Sequence, residues 1–122
     1  MAQEDETRSV VEGYFAAWTS NKPLEAYALL ADDLAFAGPN AKYATREAFK
    51  PALIGFAAMS KNAHVVELVV QGDRAALLYD CDLPSGTTRI ASFFRVEAGK
   101  IRWYETFFDP TELRKLQASK AP

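Results

Sequence analysis

The sequence lacks the residues that mark disulfide-stabilised and metal-binding domains. Among its 122 residues there is one cysteine, Cys81, and one histidine, His64. A single cysteine cannot form an internal disulfide, and one cysteine with one histidine cannot complete the ligand set of a structural zinc site. We therefore expect no bound metal and no cofactor.

The chain also lacks an excess of positive charge and long apolar runs. Lys and Arg number 14 against 16 Asp and Glu, so the net charge is -2 and nothing favours a nucleic-acid partner. No apolar run approaches the length of a membrane span, and the acidic start shows no apolar core of a signal peptide. We expect a cytoplasmic protein with neither a nucleic-acid nor a membrane partner.

What is present is the composition of an ordinary globular domain. Hydrophobic residues make up 49% and charged residues 25%, which excludes an intrinsically disordered chain. A length of 122 residues suits one hydrophobic core, so we expect a single domain over residues 1–122.

Four consecutive β-strands are predicted in the second half of the chain. They cover residues 63–70, 74–83, 87–97 and 100–108. Each connection is short and contains glycine, which is typical of hairpin turns. Strands joined this tightly must be antiparallel neighbours, since a parallel return needs a long crossover. The pattern predicts an antiparallel meander.

The residues around the meander predict helices that cover it. A first helix over 5–20 carries an apolar stripe that includes Tyr14 and Trp18. The other predicted elements are a helix over 23–31, a strand over 34–37, a helix capped by Thr45 and running to 58, and a short helix from Pro110 to about 116.

Strand alternation divides the meander side chains between two faces. The predicted registers place His64 beside Cys81 and Ser92 beside Tyr104. We expect the helices to cover the face that carries His64, Val66, Leu68, Leu77, Tyr79, Cys81, Ile90, Ser92, Tyr104, Thr106 and Phe108.

The opposite face combines charged residues with large apolar ones. Leu78, Phe93, Trp103 and Phe107 would form an apolar patch there. Monomers rarely leave such patches bare, so we expect a homodimer in which a second copy packs on this outer sheet face.

Five segments together carry a resemblance to a known superfamily. They are Val10-Val11-Glu12-Gly13-Tyr14 with Trp18, Leu30-Ala31-Asp32-Asp33 before Phe36, Thr45-Arg46-Glu47-Ala48-Phe49, Gly99-Lys100-Ile101, and Phe108-Asp109-Pro110. Their order and spacing resemble the nuclear transport factor 2-like superfamily, most closely its SnoaL-like and ketosteroid isomerase-like branches. The resemblance implies an α+β, cystatin-like cone, with three N-terminal helices on the concave face of a curved antiparallel sheet and a short C-terminal helix.

The resemblance also indicates where catalytic groups would lie. Steroid isomerase chemistry uses a carboxylate base and two acidic donors to an oxyanion. Tyr14 matches the tyrosine donor, whereas the base position falls on Gly38 and the second donor position on Ser92. The polyketide-cyclase and epoxide-hydrolase branches have a carboxylate late in the last strand, where this chain has Thr106.

Two residues are candidate catalytic groups. Imidazole is the side chain that ionises near neutral pH, so an inward-facing His64 could act as a general base. The alternative is a histidine at the sheet edge that is satisfied by water or backbone. Tyr14 could donate to a ligand oxygen, or it could be a core tyrosine bonded to a carbonyl.

We expect an apolar pocket between the helices and the concave face, suited to a small hydrophobic molecule with one or two polar atoms. The candidate ligand-binding residues are Trp18, Phe36, Phe56, Tyr79, Ile90, Ser92, Tyr104, Thr106 and Phe108. Three functions stay open: a binding domain, an isomerase, cyclase or dehydratase that uses His64 and Tyr14, and a non-catalytic dimeric interaction module. Because this fold serves enzymes and binding modules alike, the fold alone does not decide among them.

Overall fold

The computed structural model describes residues 2–119, in which four helices cover one curved, six-stranded mixed sheet. The helices are α1 (Ala2–Thr19), α2 (Pro23–Tyr27), α3 (Arg46–Met59) and α4 (Thr111–Ser119). The strands are β1 (Leu30–Ala37), β2 (Lys42–Tyr43), β3 (Lys61–Gln71), β4 (Arg74–Leu83), β5 (Gly86–Glu97) and β6 (Lys100–Phe107), in the order β2-β1-β6-β5-β4-β3. The predicted α+β class is confirmed. Between residues 2 and 119, no helix has both the length and the apolarity needed to cross a membrane.

The helix boundaries follow from local sequence chemistry. Thr45 caps α3, since its side-chain oxygen accepts the backbone N–H of Ala48 at 3.1 Å. Asp109 plays the same part for α4 and accepts the backbone N–H of Thr111 at 3.0 Å. Pro51 lies inside α3 and leaves the helix continuous over its 14 residues.

The three hairpins preserve the predicted division of side chains between faces on β4, β5 and β6. The observed turns pair Leu83 with Gly86, and Ser92 with Thr106 rather than with Tyr104. The predicted register of these two hairpins was therefore wrong by two residues. Because side chains alternate with a period of two, an even slip leaves every residue on its predicted face.

Strand β3 keeps the predicted register from Glu67 onward, with Leu68 beside Leu77, but the residues before Glu67 are shifted by one. Its register shifts between Lys61 and His64 and again between Val65 and Glu67, so that His64 pairs with Asp80. A β-bulge inserts one residue and turns the following side chains to the opposite face. The predicted inward position of His64 beside Cys81 is therefore wrong, and His64 lies on the outer face of the sheet.

The first strand differs most from the prediction. Helix α2 ends at Tyr27, and β1 begins at Leu30 rather than at residue 34. Strand β1 then runs parallel to β6, with Phe36 beside Tyr104. The sheet is therefore mixed and not wholly antiparallel, because pairing with β6 outweighs the local helical pattern of residues 28–31.

Hydrogen bonds to two hairpin turns fix the start of α1 against the sheet. Thr7 is fully buried, and its hydroxyl donates to the carbonyl of Gly72 at 2.7 Å. The carboxylate of Glu4 accepts the Gly72 N–H at 3.0 Å, and that of Glu6 accepts the Gly99 N–H at 2.8 Å. These charge-assisted bonds hold the helix across the concave face, where its second half meets β4 and β6.

Candidate functional site

A cavity of about 360 Å³ lies between the concave face of the sheet and the helices. Its volume is near the lower end of the range for small-molecule pockets, roughly 300–1,000 Å³. The wall is formed by Tyr14, Trp18, Phe36, Gly38, Pro39, Asn40, Ala41, Tyr43, Phe49, Ala52, Leu53, Gly55, Phe56, Met59, Tyr79, Tyr104, Thr106, Phe108, Leu113 and Gln117.

Aromatic rings that pack against one another build most of this wall. Trp18 meets Phe56 and Tyr79 edge-on, with ring centroids 5.4 and 5.7 Å apart. On the other side of the cavity, Phe36 stacks on Phe49 at 4.3 Å. Interlocked rings have few alternative rotamers, so the cavity shape is set by the fold itself.

A small polar cluster interrupts the apolar wall at its buried end. The hydroxyls of Ser92 and Thr106 share a hydrogen bond of 3.0 Å across strands β5 and β6. The phenol groups of Tyr14, Tyr79 and Tyr104 surround this pair, and all five residues are buried. No buried side-chain nitrogen or oxygen within residues 2–119 lacks a hydrogen-bond partner. The cluster is thus internally satisfied and offers neutral hydroxyls to the cavity.

Burial controls the acidity of the three phenols. It raises the pKa of Tyr14 and of Tyr79 well above 10, and a charge on the neighbouring Tyr104 would raise both further. The pKa of Tyr104 is also raised by burial, but hydrogen bonds from the hydroxyls of Thr106, Tyr14 and Ser92 oppose that shift. All three phenols therefore stay protonated at neutral pH and act as hydrogen-bonding groups without charge.

The mouth of the cavity is marked by the exposed members of its wall. Asn40, Gly55 and Gln117 are exposed, whereas most of the other wall residues are buried or half-buried. Arg114 of α4 bridges this rim, since its guanidinium donates to the side-chain oxygen of Asn40 and to the carbonyl of Pro39. Helix α4 and the loop between β1 and β2 are thereby held together on one side of the opening.

The structure brings most of the predicted site residues to one cavity. Tyr14 and seven of the nine predicted ligand-binding residues line it: Trp18, Phe36, Phe56, Tyr79, Tyr104, Thr106 and Phe108. Ile90 and Ser92 do not line it, although both are fully buried beneath the wall. Ser92 acts on the site only through its hydrogen bond to Thr106.

His64 lies away from this cavity. Its side chain is 68% exposed, and Nε2 is 3.7 Å from the Asp80 carboxylate on the outer face. That carboxylate is already held by Arg89 through two hydrogen bonds of 2.8 and 2.9 Å. β3 is an edge strand, so the position matches the alternative of a sheet-edge histidine.

Sequence reasoning missed the residues that form the mouth. Pro39, Asn40 and Ala41 were not predicted to line the cavity, and Gly38 was considered only as the position of a missing base. Leu113 and Gln117 belong to a helix that is longer than predicted. The wall residues contributed by α3 recur at helical spacing, as Ala52, Phe56 and Met59. That spacing was the one available signal for a helix face directed at a cavity.

The chemistry of the wall is that of a neutral binding site. Among the wall residues, which all lie in the described part of the chain, none is Asp, Glu, His, Lys, Arg or Cys. Residues 2–119 also contain no group of three or more His, Cys, Asp and Glu side chains placed to hold a metal ion. The arrangement can enclose an apolar body and hydrogen-bond a polar atom.

Comparisons with solved structures agree on the fold. An NTF2-like protein of unknown function from Cytophaga hutchinsonii superposes with a TM-score of 0.78 at 23% identity, over 88% of this chain and 94% of that one. A Silicibacter pomeroyi protein with a cystatin-like fold gives a TM-score of 0.78 at 16% identity, over 91% and 84%. An LEH-like epoxide hydrolase of M. tuberculosis gives 0.73 at 16% identity, over 95% and 96%.

At these identities the similarity shows the fold and nothing finer. A search of the curated proteins finds no match. The family profile described as the SnoaL-like domain matches residues 11–104, which include both Tyr14 and Tyr104 of the cavity wall. The chain therefore belongs to the SnoaL-like domain family.

Proposed function

We propose that this SnoaL-like domain binds a small, uncharged, mainly hydrophobic molecule that carries one or two polar atoms. The observation that carries the proposal is the wall itself: about 360 Å³ enclosed by apolar and aromatic side chains, with hydroxyls at the buried end and no charged group. Convergent polar groups in an apolar cavity are typical of ligand sites.

Charge is what separates the possible ligands. A charged group moved from water into this cavity would lose its hydration and find no opposite charge in the wall. A neutral carbonyl or hydroxyl would instead meet the phenol of Tyr104 and the hydroxyl of Thr106. The cavity therefore favours a ligand that is neutral at its buried end.

The same wall gives less support to an acid–base enzyme. An isomerase, cyclase or dehydratase needs a group that exchanges a proton near neutral pH at the substrate. The wall has no carboxylate or imidazole, and His64 lies on the outer face. Gly38 and Thr106 stand at the positions where the family resemblance implies a carboxylate. Binding without proton transfer is the function that the site supports best.

The proposal predicts binding that does not depend on pH around neutrality. We expect the neutral fluorophore 6-propionyl-2-dimethylaminonaphthalene to bind with blue-shifted emission. Its Kd should vary by less than about twofold between about pH 6 and pH 8.5, because no wall group titrates in that range. Fluorescence titration at several pH values measures this. An anionic naphthalene sulfonate should bind markedly more weakly.

A filled cavity provides the control. Ala52→Trp places an indole in the cavity from α3, and we expect it to abolish binding of the fluorophore. Ala58→Trp adds the same side chain to an exposed position of α3 outside the wall and should leave binding unchanged. A Kd that changes steeply between pH 6 and pH 8.5, or equal binding by both variants, would contradict the proposal.

We propose further that the domain is a homodimer through its outer sheet face. Phe93, Trp103 and Phe107 are 39%, 37% and 50% exposed there, and the rings of Phe93 and Phe107 meet at 5.8 Å. Glu105 pairs with Phe93 and Arg95 with Trp103 across β5 and β6, so charged residues border these rings. Stable dimers bury about 1,600 Å², which requires such a continuous face.

The dimer is tested by placing a charge in this patch. We expect sedimentation equilibrium to give twice the chain mass for the wild type and the chain mass for Trp103→Glu, because an unpaired carboxylate would be buried in the interface. Leu24→Glu, at an apolar position of α2 that is 61% exposed, is the matched control and should remain dimeric. A monomeric wild type would refute the proposal.

A further inference from the structure

A glycine inside α3 has no explanation in the packing of the fold. Gly55 is the tenth of the 14 residues of this helix, where glycine is less favourable than alanine because it loses more backbone freedom. A Cβ atom built at Gly55 would meet nothing within 4 Å. Its backbone does not need the left-handed conformation that favours glycine. A larger residue would therefore fit the fold.

What a side chain at Gly55 would change is the cavity mouth. Gly55 belongs to the wall and is exposed, and the same holds for Asn40 and Gln117. Wall residues of α3 on either side of Gly55 carry side chains, namely Ala52 and Met59. The missing side chain therefore leaves a gap in the rim on the α3 side.

The size of the cavity determines which ligands would reach this gap. With about 360 Å³ the cavity holds roughly a substituted ring system, near the lower limit of small-molecule sites. The hydroxyls of Tyr14, Tyr104 and Thr106 lie at the buried end, away from the exposed rim. A ligand longer than the cavity must keep its far end at the mouth.

From this geometry we infer that Gly55 is a specificity-determining position, at which the extended end of an elongated ligand leaves the cavity across the backbone of α3. The inference rests on the proposed binding function and deepens it. The ligand class is an amphiphile with a polar head that reaches the hydroxyl cluster and an apolar tail longer than the cavity. A larger side chain at position 55 would then limit the length of the ligand tail without contacting the polar head.

A homologous series of 4-alkylphenols tests this position. We expect Gly55→Val to weaken binding of 4-octylphenol about tenfold, because the added side chain obstructs the emerging tail. 4-Ethylphenol fits within the cavity, and its Kd should change by less than about twofold. Gly55→Ala should give an intermediate loss for the long phenol. Displacement of the naphthalene fluorophore measures each Kd.

The controls separate this inference from the proposal beneath it. Ala58→Val adds bulk to an exposed residue of the same helix outside the wall, and it should leave the whole series unchanged. Equal effects of Gly55→Val on short and long phenols, or no effect on either, would overturn the role of Gly55 while binding itself stands. If no alkylphenol binds the wild type, the binding proposal fails with it. A circular dichroism melt of each variant shows that α3 still folds.

Discussion

Raising the pH from about 9 to about 12 is expected to unfold the protein in one cooperative step. Four buried acids hold their protons more tightly in the folded chain than in the unfolded chain. Burial raises the pKa of the Cys81 thiol to about 11, and it raises the pKa values of Tyr14, Tyr79 and Tyr104 above 10. Their contribution to stability is complete below the unfolded pKa values and declines as the pH rises toward the folded ones.

The size of this decline follows from proton linkage. Each group that is ionised only in the unfolded chain lowers the free energy of unfolding by about 1.4 kcal/mol per pH unit. Where all four groups are ionised in the unfolded chain and protonated in the folded chain, the free energy of unfolding falls by about 5.5 kcal/mol per pH unit. A domain stable by about 5–15 kcal/mol is therefore expected to lose its folded state in the alkaline range above about pH 9 or 10.

Two spectra recorded in the same titration check this prediction. The phenolate absorbance of the buried tyrosines should rise together with the loss of far-ultraviolet circular dichroism, because these hydroxyls ionise only on unfolding. Tyr79→Phe removes one of the four groups and should reduce the pH dependence of the unfolding free energy by about a quarter. Full phenolate absorbance near pH 10 with an unchanged dichroism spectrum would contradict the prediction.

The strand faces of β4, β5 and β6 were predictable because their signal is redundant. Ser92 and Thr106 were assigned to the inner face from registers that were wrong by two residues, and both are buried there. Side chains alternate with a period of two, so a register error of two residues leaves each side chain on its predicted face. The face of His64 was predicted wrongly because β3 contains bulges. An inserted residue cannot be recognised from the amino-acid composition of a strand made of ordinary β-forming residues.

The buried wall of the cavity was predictable because its residues recur periodically, whereas the residues of the mouth were not predictable. Trp18 and Tyr79 are large apolar residues on periodic elements, and periodicity directs them to the common core. Asn40 and Gln117 both line the cavity, and a hydrogen bond from Arg114 to Asn40 joins the loop of the one to the helix of the other. Contacts between a loop and a distant helix depend on tertiary structure, and no local pattern encodes them.

Tyr104→Ala is expected to cause the largest loss of stability among single substitutions in the cavity wall. The ring stacks on Phe94 with centroids 4.8 Å apart and meets Phe36 at 4.9 Å and Tyr14 at 5.4 Å. These partners belong to β5, β1 and α1, so the ring joins the helix layer to the sheet. Truncating a buried aromatic ring costs about 3–5 kcal/mol through lost burial and the hole that remains.

Urea denaturation of Tyr104→Ala and Tyr104→Phe separates the ring from its hydroxyl. Tyr104→Phe keeps the packing and removes one hydroxyl from the cluster with Ser92 and Thr106, so we expect a loss of only about 1 kcal/mol. The same Tyr104→Phe variant should weaken binding of an alkylphenol by up to about tenfold, because the polar head of the ligand loses a hydrogen-bond partner. Equal stability losses in both variants would show that the hydroxyl, rather than the ring, holds the wall together. An alkylphenol Kd unchanged in Tyr104→Phe would place the polar head away from this phenol and would weaken the assignment of the buried end of the cavity.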